Sequence, residues 1–111
     1  MPNQSARLSA VFTALADPTR RAVLAELMRG PKATTELCRR HDMALPSFTQ
    51  HLAVLEDCGL VRSAKSGRVR TWRAVPSRLK VAEHWLNTQR TTWERRLDSL
   101  DAYLVTMKES E

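Results

Sequence analysis

The chain has 111 residues, 42% of them hydrophobic, and it carries a formal net charge of +6. This length fits one domain with a modest core, and no apolar run approaches the roughly 20 residues that cross a bilayer. The opening MPNQSARLSAVF lacks the apolar core and cleavage site of a secretory signal, and two cysteines are too few for a disulfide framework. We therefore expect a single-domain protein of the cytoplasm.

The positive charge is concentrated in one segment. Between Leu60 and Lys80 the chain has seven basic residues and no acidic one, whereas the remainder has 11 basic and 12 acidic residues. A surface without a charged partner more often mixes the two signs. The basic segment therefore indicates a polyanionic partner, with nucleic acid as the first candidate and an anionic membrane surface as the second.

The first part of the chain predicts three helices. Residues 5–15 have the apolar spacing of an amphipathic helix. Asp17-Pro18 suits the N-cap and first position of a second helix, which should end before Gly30-Pro31. Thr34 is then expected to cap a short third helix over about 35–41.

A fourth helix and a hairpin follow after a tight connection. Residues 45–58 combine an apolar set with a polar face, and Gly59 suits the left-handed position that ends a helix. Residues 60–63 and 69–75 are rich in β-branched and apolar side chains, with a Lys65–Arg68 turn between them. This pattern predicts a β-hairpin.

The last helix is predicted over 78–107 with Ser77 as its cap, and it would be roughly 45 Å long at 1.5 Å per residue. Such a helix projects beyond a domain of this size, and its large apolar residues recur at near-heptad spacing. We predict that this stripe is a homodimer seam to which the first helix also contributes. An alternative is a break near Asn87-Thr88 that folds the helix back onto its own domain. The predicted interface residues are Leu8, Phe12, Leu86, Trp93, Leu97, Leu100 and Leu104.

The order of elements predicts a mainly α fold with a small β-hairpin, a winged helix-turn-helix domain over residues 1–111. In this motif the second helix, here about 45–58, enters the major groove, which admits one α-helix. The wing is the hairpin over about 60–75, and the dimerisation helices are about 5–15 and 78–107.

The polar face of the predicted recognition helix has side chains that suit base reading. The amide of Gln50 can bond both N6 and N7 of adenine, and the hydroxyls of Ser47 and Thr49 suit either strand. His51 is placed to reach a phosphate or a base edge. The alternative is an ordinary solvated face, and the turn before and the basic hairpin after argue against it.

The predicted wing carries the basic side chains Lys65, Arg68 and Arg70 around Gly67, which allows a sharp tip. Such a tip can follow the DNA backbone or enter a minor groove. Contacts of this kind supply affinity and salt dependence rather than sequence information.

The segments ALADPTRRAVLAEL (14–27), TTELCRRHDMALPSFTQHLAVLEDCGLV (34–61) and SGRVRTWRAVP (66–76) resemble the ArsR-type winged helix-turn-helix repressors. The most distinctive pieces are DPTRR, S-x-T-Q-H-L and E-x-x-G-L-V. The resemblance implies a homodimer that is built from the first and last helices, binds a palindromic operator and represses its own operon. It also implies recognition roles for Ser47, Thr49, Gln50 and His51, and wing roles for Arg68 and Arg70.

Within this family the chain is most similar to a non-metal branch whose genes often neighbour one for a START-like, hydrophobic-ligand-binding protein. The Trp-containing stretch HWLNTQRTTWERRLDSLDAYL supports that subtype. The chain departs from the family at residues 44 and 45, where Ala and Leu replace a common polar N-cap.

The family's best-known metal signature, a Cys-x-Cys in the third helix, is incomplete here. Cys38 occupies the first position, but Arg40 occupies the second. Cys38 and His41 can share a helix face, yet two ligands do not make the four of a structural zinc site. We expect no metal, no cofactor and structural, buried roles for Cys38 and Cys58.

The chain has no phosphate-binding loop, G-x-S-x-G or H-E-x-x-H motif, so we expect no enzyme.

Two alternative functions stay open from the residues. A thiol- or metal-responsive repressor would use Cys38 as its switch. A winged-helix module for protein interaction, or for RNA, would bind without reading a DNA sequence. The hydroxyl and amide face favours double-stranded DNA as the partner, because sequence-blind binding does not need such a face. From the apolar stripe of the last helix we also expect a second copy of the chain as a partner, and we expect no membrane.

Overall fold

The computed structural model describes residues 4–110, which form five α-helices and a three-stranded antiparallel sheet. Residues 1–3 and 111 of the predicted domain lie outside this range. The helices are α1 (Gln4–Leu15), α2 (Pro18–Met28), α3 (Thr34–Arg39), α4 (Leu45–Asp57) and α5 (Leu79–Glu109), with a 3-10 turn at Pro76–Arg78. The strands β1 (Lys32–Ala33), β2 (Val61–Ser66) and β3 (Val69–Ala74) lie in the order β1-β3-β2. The predicted fold class, mainly α with a winged helix-turn-helix, is confirmed.

The junction between α1 and α2 shows why the sequence DPTRR begins a helix. Asp17 is the N-cap of α2 and accepts a hydrogen bond from the backbone N–H of Arg20 at 3.0 Å, while Pro18 is the first helical residue. The Arg21 side chain donates to the carbonyl of Leu15 at 2.7 Å. Cations are favourable at the end of α1 because the last carbonyls of a helix lack intrahelical partners. The pentapeptide therefore begins α2 and also closes α1.

The region around α3 differs from the prediction. Its N-cap is Ala33, without a side-chain hydrogen bond, so Thr34 is the first helical residue and not the cap. The helix ends at Arg39, earlier than expected. Strand β1, which pairs with β3 and places Lys32 opposite Trp72, was not predicted. Two residues are too few to show a periodic pattern, so no sequence signal indicates this strand.

The hairpin is tighter than predicted. Strands β2 and β3 pair from Val61 opposite Ala74 to Ser66 opposite Val69, which leaves a loop of two residues in place of the predicted four. Gly67 occupies the first loop position with φ of +62°. Two-residue hairpin loops need positive φ because the loop must match the twist of the strands, and glycine adopts it without strain.

The core fixes which side of α4 faces outward. Phe48, Leu52 and Leu55 on its inner side are fully buried, and burying one such side chain contributes about 1.5–3 kcal/mol. The opposite side of α4 therefore remains exposed. The other buried residues are Val11, Ala14, Val23, Leu24, Leu27, Leu37, Leu60, Val61, Trp72 and Ala82.

The end of α4 meets the start of α5 at Gly59. This glycine has φ of +84°, the left-handed conformation predicted for it after the C-cap Cys58. A Cβ atom at Gly59 would lie 3.0 Å from Nε of Arg78 and 3.3 Å from its Cδ. The Arg78 side chain therefore leaves little room for a methyl group at position 59.

Helix α5 is continuous over 31 residues. Ser77 lies in the 3-10 turn, and Arg78 occupies the N-cap without a side-chain hydrogen bond, so the predicted cap is wrong. The alternative with a break near Asn87-Thr88 is also wrong, because both residues lie within the helix.

The first turns of α5 pack against α1. Ala82 is buried, and the rings of Phe12 and Trp85 meet edge to face with centroids 5.7 Å apart. The rest of α5 extends away from the domain, so the described residues span 77 Å along their longest axis. No helix within residues 4–110 has both the length and the apolarity to cross a bilayer.

Candidate nucleic-acid interface

Helices α3 and α4, with residues 40–44 between them, form the helix-turn-helix. Ser47, Thr49 and Gln50 of α4 are all exposed. One residue advances an α-helix by about 100°, which places Gln50 opposite the buried side. The predicted reading residues therefore share the outward half of α4. The N-cap of this helix is Ala44, without a side-chain hydrogen bond.

The three exposed side chains differ in what they can offer a ligand. Neither Ser47 nor Gln50 makes a side-chain hydrogen bond to another residue that the structure describes, so their donors and acceptors are available. The Thr49 hydroxyl donates to the carbonyl of Leu45 at 2.7 Å. This bond uses its hydrogen, so Thr49 presents a methyl group and an acceptor oxygen.

His51 is held against the start of α2 and is only half-buried. Its Nδ1 lies 3.1 Å from Nη1 of Arg20 and 3.7 Å from Oδ2 of Asp17. Sequence reasoning placed His51 in the interface but missed Arg20. The DPTRR motif marked the arginine, but its contact spans 31 residues, and no local pattern indicates it.

The same corner holds an ionised carboxylate. The pKa of Asp17 is lowered from its ordinary value of 3.8, mainly because the carboxylate accepts the backbone N–H of Arg20. The charge of Arg20 acts in the same direction, while partial desolvation opposes it. Asp17 therefore keeps its charge into acidic solution and continues to cap α2 there.

The wing's basic side chains are exposed but differ in freedom. Lys65 and Arg68 make no side-chain hydrogen bond or ion pair within residues 4–110. Arg70 donates from Nη1 to the Ser63 hydroxyl at 2.9 Å, and Ser63 donates to Oε2 of Glu56 at 2.8 Å. This chain of bonds ties the wing to the end of α4, and sequence reasoning did not anticipate it.

The wing is also attached to the start of α3. Nε1 of Trp72 in β3 donates to the Thr34 hydroxyl at 2.7 Å, and Thr34 donates to the carbonyl of Arg70 at 3.3 Å. Trp72 is buried, so its N–H has this hydroxyl in place of water. The wing is thus anchored to both helices of the helix-turn-helix.

The predicted dimer residues fall into two groups in the protomer. Leu8 and Phe12 of α1 are half-buried and pack against the core. Those of α5 are 45–62% exposed, namely Leu86, Trp93, Leu97, Leu100 and Leu104. The stripe on α5 is continuous with the buried Ala82, since these residues lie along one side of the helix. It is therefore an apolar surface that begins in the core and leaves it.

The possible sensor residues are the two cysteines and His41, and each lies partly buried in the domain. Cys38 and Cys58 are free thiols and are half-buried, less buried than expected. His41 lies 3.1 Å from Glu26 and stacks on Phe48 with ring centroids 5.4 Å apart. Among residues 4–110, no three His, Cys, Asp or Glu side chains are grouped closely enough to hold a metal ion.

Comparison with known proteins identifies the helix-turn-helix segment. The sequence family described as a helix-turn-helix domain matches residues 15–64. The chain is 41% identical over 68 residues to the HTH-type transcriptional regulator Rv2034 of Mycobacterium tuberculosis, covering 61% of this chain and 64% of that protein. It is 36% identical over 67 residues to a probable mercury resistance operon repressor of Streptomyces lividans, covering 60% and 51%. The chain therefore spans less than two thirds of each of these two relatives.

A solved structure matches over more of its length. The crystal structure of an ArsR family transcriptional regulator superposes with a TM-score of 0.79 and 48% sequence identity. The match covers 85% of this chain and 97% of that one.

Proposed function

Because this chain belongs to the ArsR family of winged helix-turn-helix transcriptional regulators, we propose that it acts as a homodimeric repressor at a palindromic operator. In a helix-turn-helix regulator the second helix of the motif lies in the major groove. Here that helix is α4, and the hairpin of β2 and β3 is the wing.

The observation that carries this proposal is the outward side of α4. Phe48, Leu52 and Leu55 anchor the helix from within, while Ser47 and Gln50 lie on the exposed half with unengaged polar groups. Such a helix can enter a groove without disturbing the core. Gln50 is suited to adenine, and the hydroxyl of Ser47 to either strand.

The exposed stripe on α5 supports a homodimer. A two-fold interface uses the same patch on both subunits, so an apolar stripe that continues from the core is suited to pack against its own copy. Large exposed apolar surfaces of this kind commonly mark protein interfaces. A dimer presents two copies of α4, which fits two half-sites separated by about 34–36 Å, one turn of DNA.

We further propose that the chain represses its own operon and belongs to the non-metal branch whose genes often neighbour one for a START-like protein. The name of the Streptomyces lividans relative supports repression. Arg40 supports the non-metal branch, because a cation at the second position of the family's Cys-x-Cys opposes metal binding.

Footprinting on the DNA upstream of the protein's own gene tests the proposal. Two protected half-sites one helical turn apart are expected. Gln50→Ala should cost about 1–3 kcal/mol at one base pair and relax specificity there, whereas Arg68→Ala should weaken operator and random DNA alike. Arg95→Ala, an equal charge change at an exposed position of α5, is the matched control and should bind as the wild type does. Equal losses on specific and random DNA for Gln50→Ala would refute the assignment of α4 as the reading helix.

A further inference from the structure

Arg20 joins three helices through its side chain. Its Nε donates to the carbonyl of Ala14 at 2.7 Å, and its Nη2 donates to that of Thr13 at 2.9 Å, both at the end of α1. Its Nη1 lies 3.1 Å from Nδ1 of His51 on α4. Two carbonyl contacts fix the plane of the guanidinium, so the third nitrogen presents its hydrogen to the imidazole in a set direction.

This contact determines which nitrogen of His51 carries hydrogen. A guanidinium has donors only, so Nδ1 at 3.1 Å from Arg20 must act as the acceptor. A hydrogen on Nδ1 would instead favour the carboxylate of Asp17, but that oxygen lies 3.7 Å away, beyond hydrogen-bonding distance. In the neutral ring the hydrogen must therefore lie on Nε2, which makes Nε2 a donor.

The position of His51 on α4 indicates what this donor can meet. Gln50 lies opposite the buried side, and His51, one residue later, lies about 100° around the helix, on its flank. The side chain keeps 21% of its surface exposed, so the ring is not sealed by the domain. When a helix lies in the major groove, its flanks pass closest to the phosphate backbone, whose oxygens only accept hydrogen bonds.

We propose that Arg20 is a positioning residue that holds His51 as an Nε2–H donor, and that this N–H donates a hydrogen bond to a phosphate oxygen of the DNA. The inference rests on the proposed function and adds a fixed hydrogen-bond polarity to it. It also gives DPTRR a third task, because the same motif that caps α2 and closes α1 prepares a side chain of the recognition helix.

The first part of the test is made on the free protein. Nitrogen-15 NMR of the imidazole in mildly alkaline buffer should show Nδ1 without hydrogen and Nε2 with it. The His51 signals are assigned by their loss in His51→Gln, since His41 and His84 also contribute. In Arg20→Met the carboxylate of Asp17 is the nearest remaining partner of Nδ1, so hydrogen should move toward Nδ1. A hydrogen on Nδ1 in the wild type, or an unchanged spectrum in Arg20→Met, would overturn the role of Arg20.

The second part compares two substitutions of His51, one that replaces the Nε2–H donor and one that replaces only the Nδ1 acceptor. His51→Gln places an amide N–H near the position of Nε2, whereas His51→Asn keeps an acceptor near that of Nδ1 and loses the distal donor. We expect His51→Gln to keep most of the affinity and His51→Asn to lose roughly tenfold, on operator and random DNA alike. Thermal unfolding of both variants verifies that they are folded.

The outcomes distinguish this inference from the proposed function. If Gln50→Ala loses operator binding but His51→Asn binds as well as His51→Gln, the phosphate contact is refuted and the function stands. A loss confined to the operator would refute the phosphate as the acceptor. Absence of DNA binding by the wild-type dimer would overturn both.

Discussion

We expect the hydrogen bond between Trp72 and Thr34 to contribute measurably to the stability of the domain, because it attaches the wing to α3. Thr34→Val has nearly the same shape but lacks the hydroxyl, so it leaves the indole N–H of Trp72 without an acceptor. Trp72 is only 5% exposed, and an unsatisfied buried donor costs about 1–3 kcal/mol. In a domain of this size each kcal/mol lowers the melting temperature by roughly 4 °C. Thr34→Ser keeps the hydroxyl and should lose much less.

The measurement is urea unfolding at one fixed protein concentration, because the apparent stability of the proposed dimer would depend on concentration. A double-mutant cycle of Thr34→Val with Trp72→Phe isolates the hydrogen bond from the loss of ring surface, and a coupling of about 0.5–3 kcal/mol is expected. Equal unfolding of the valine and serine variants, or a coupling of zero, would show that the 2.7 Å contact does not stabilise the wing.

Three further predictions concern the dimer, the helix cap and the wing. Leu100→Lys should shift the proposed dimer toward monomer in sedimentation velocity, while Val105→Lys, also exposed but outside the stripe, should not; equal behaviour of the two variants would argue against the seam. The lowered pKa of Asp17 means that its carboxylate stabilises the fold above its ordinary pKa of 3.8 and loses this contribution as pH falls through the lowered value. Asp17→Asn keeps a good N-cap that does not titrate, so its stability should fall less than that of the wild type across this acidic range, as followed by circular dichroism. Lys65→Ala should reduce the slope of log affinity against log salt by about one, and an unchanged slope would remove Lys65 from the phosphate contacts.

The helix-turn-helix was predictable because its signals are local. Asp17-Pro18 specifies a helix start through a cap and a fixed φ, and both act within one turn. The apolar spacing of residues 45–58 identified the buried side of α4, and with it the exposed positions of Ser47 and Gln50. Gly59 and Gly67 both adopt the left-handed conformations that end α4 and turn the hairpin.

The errors arise where a distant partner competes for a local group. Thr34 has the right chemistry for an N-cap, but Trp72, 38 residues later, takes its hydroxyl. Ser77 is a different case, because its own neighbours Pro76 and Arg78 form a 3-10 turn around it and Arg78 becomes the N-cap. Distance along the chain also hid the contact between Arg20 and His51. Sequence periodicity indicates neither this contact nor that between Thr34 and Trp72.

The contact between Gly59 and the Arg78 side chain lies at the base of α5, so α5 acts as a lever about this point. At 1.5 Å per residue, α5 is about 46 Å long, so a tilt of about 5° at its base moves its far end by about 4 Å. Arg78 at the start of α5 lies against Gly59 at the end of α4. In the proposed dimer, a change in the angle between α4 and α5 would therefore change the distance between the two reading helices. A larger side chain at position 59 should therefore change the preferred distance between half-sites more than it changes the preferred bases.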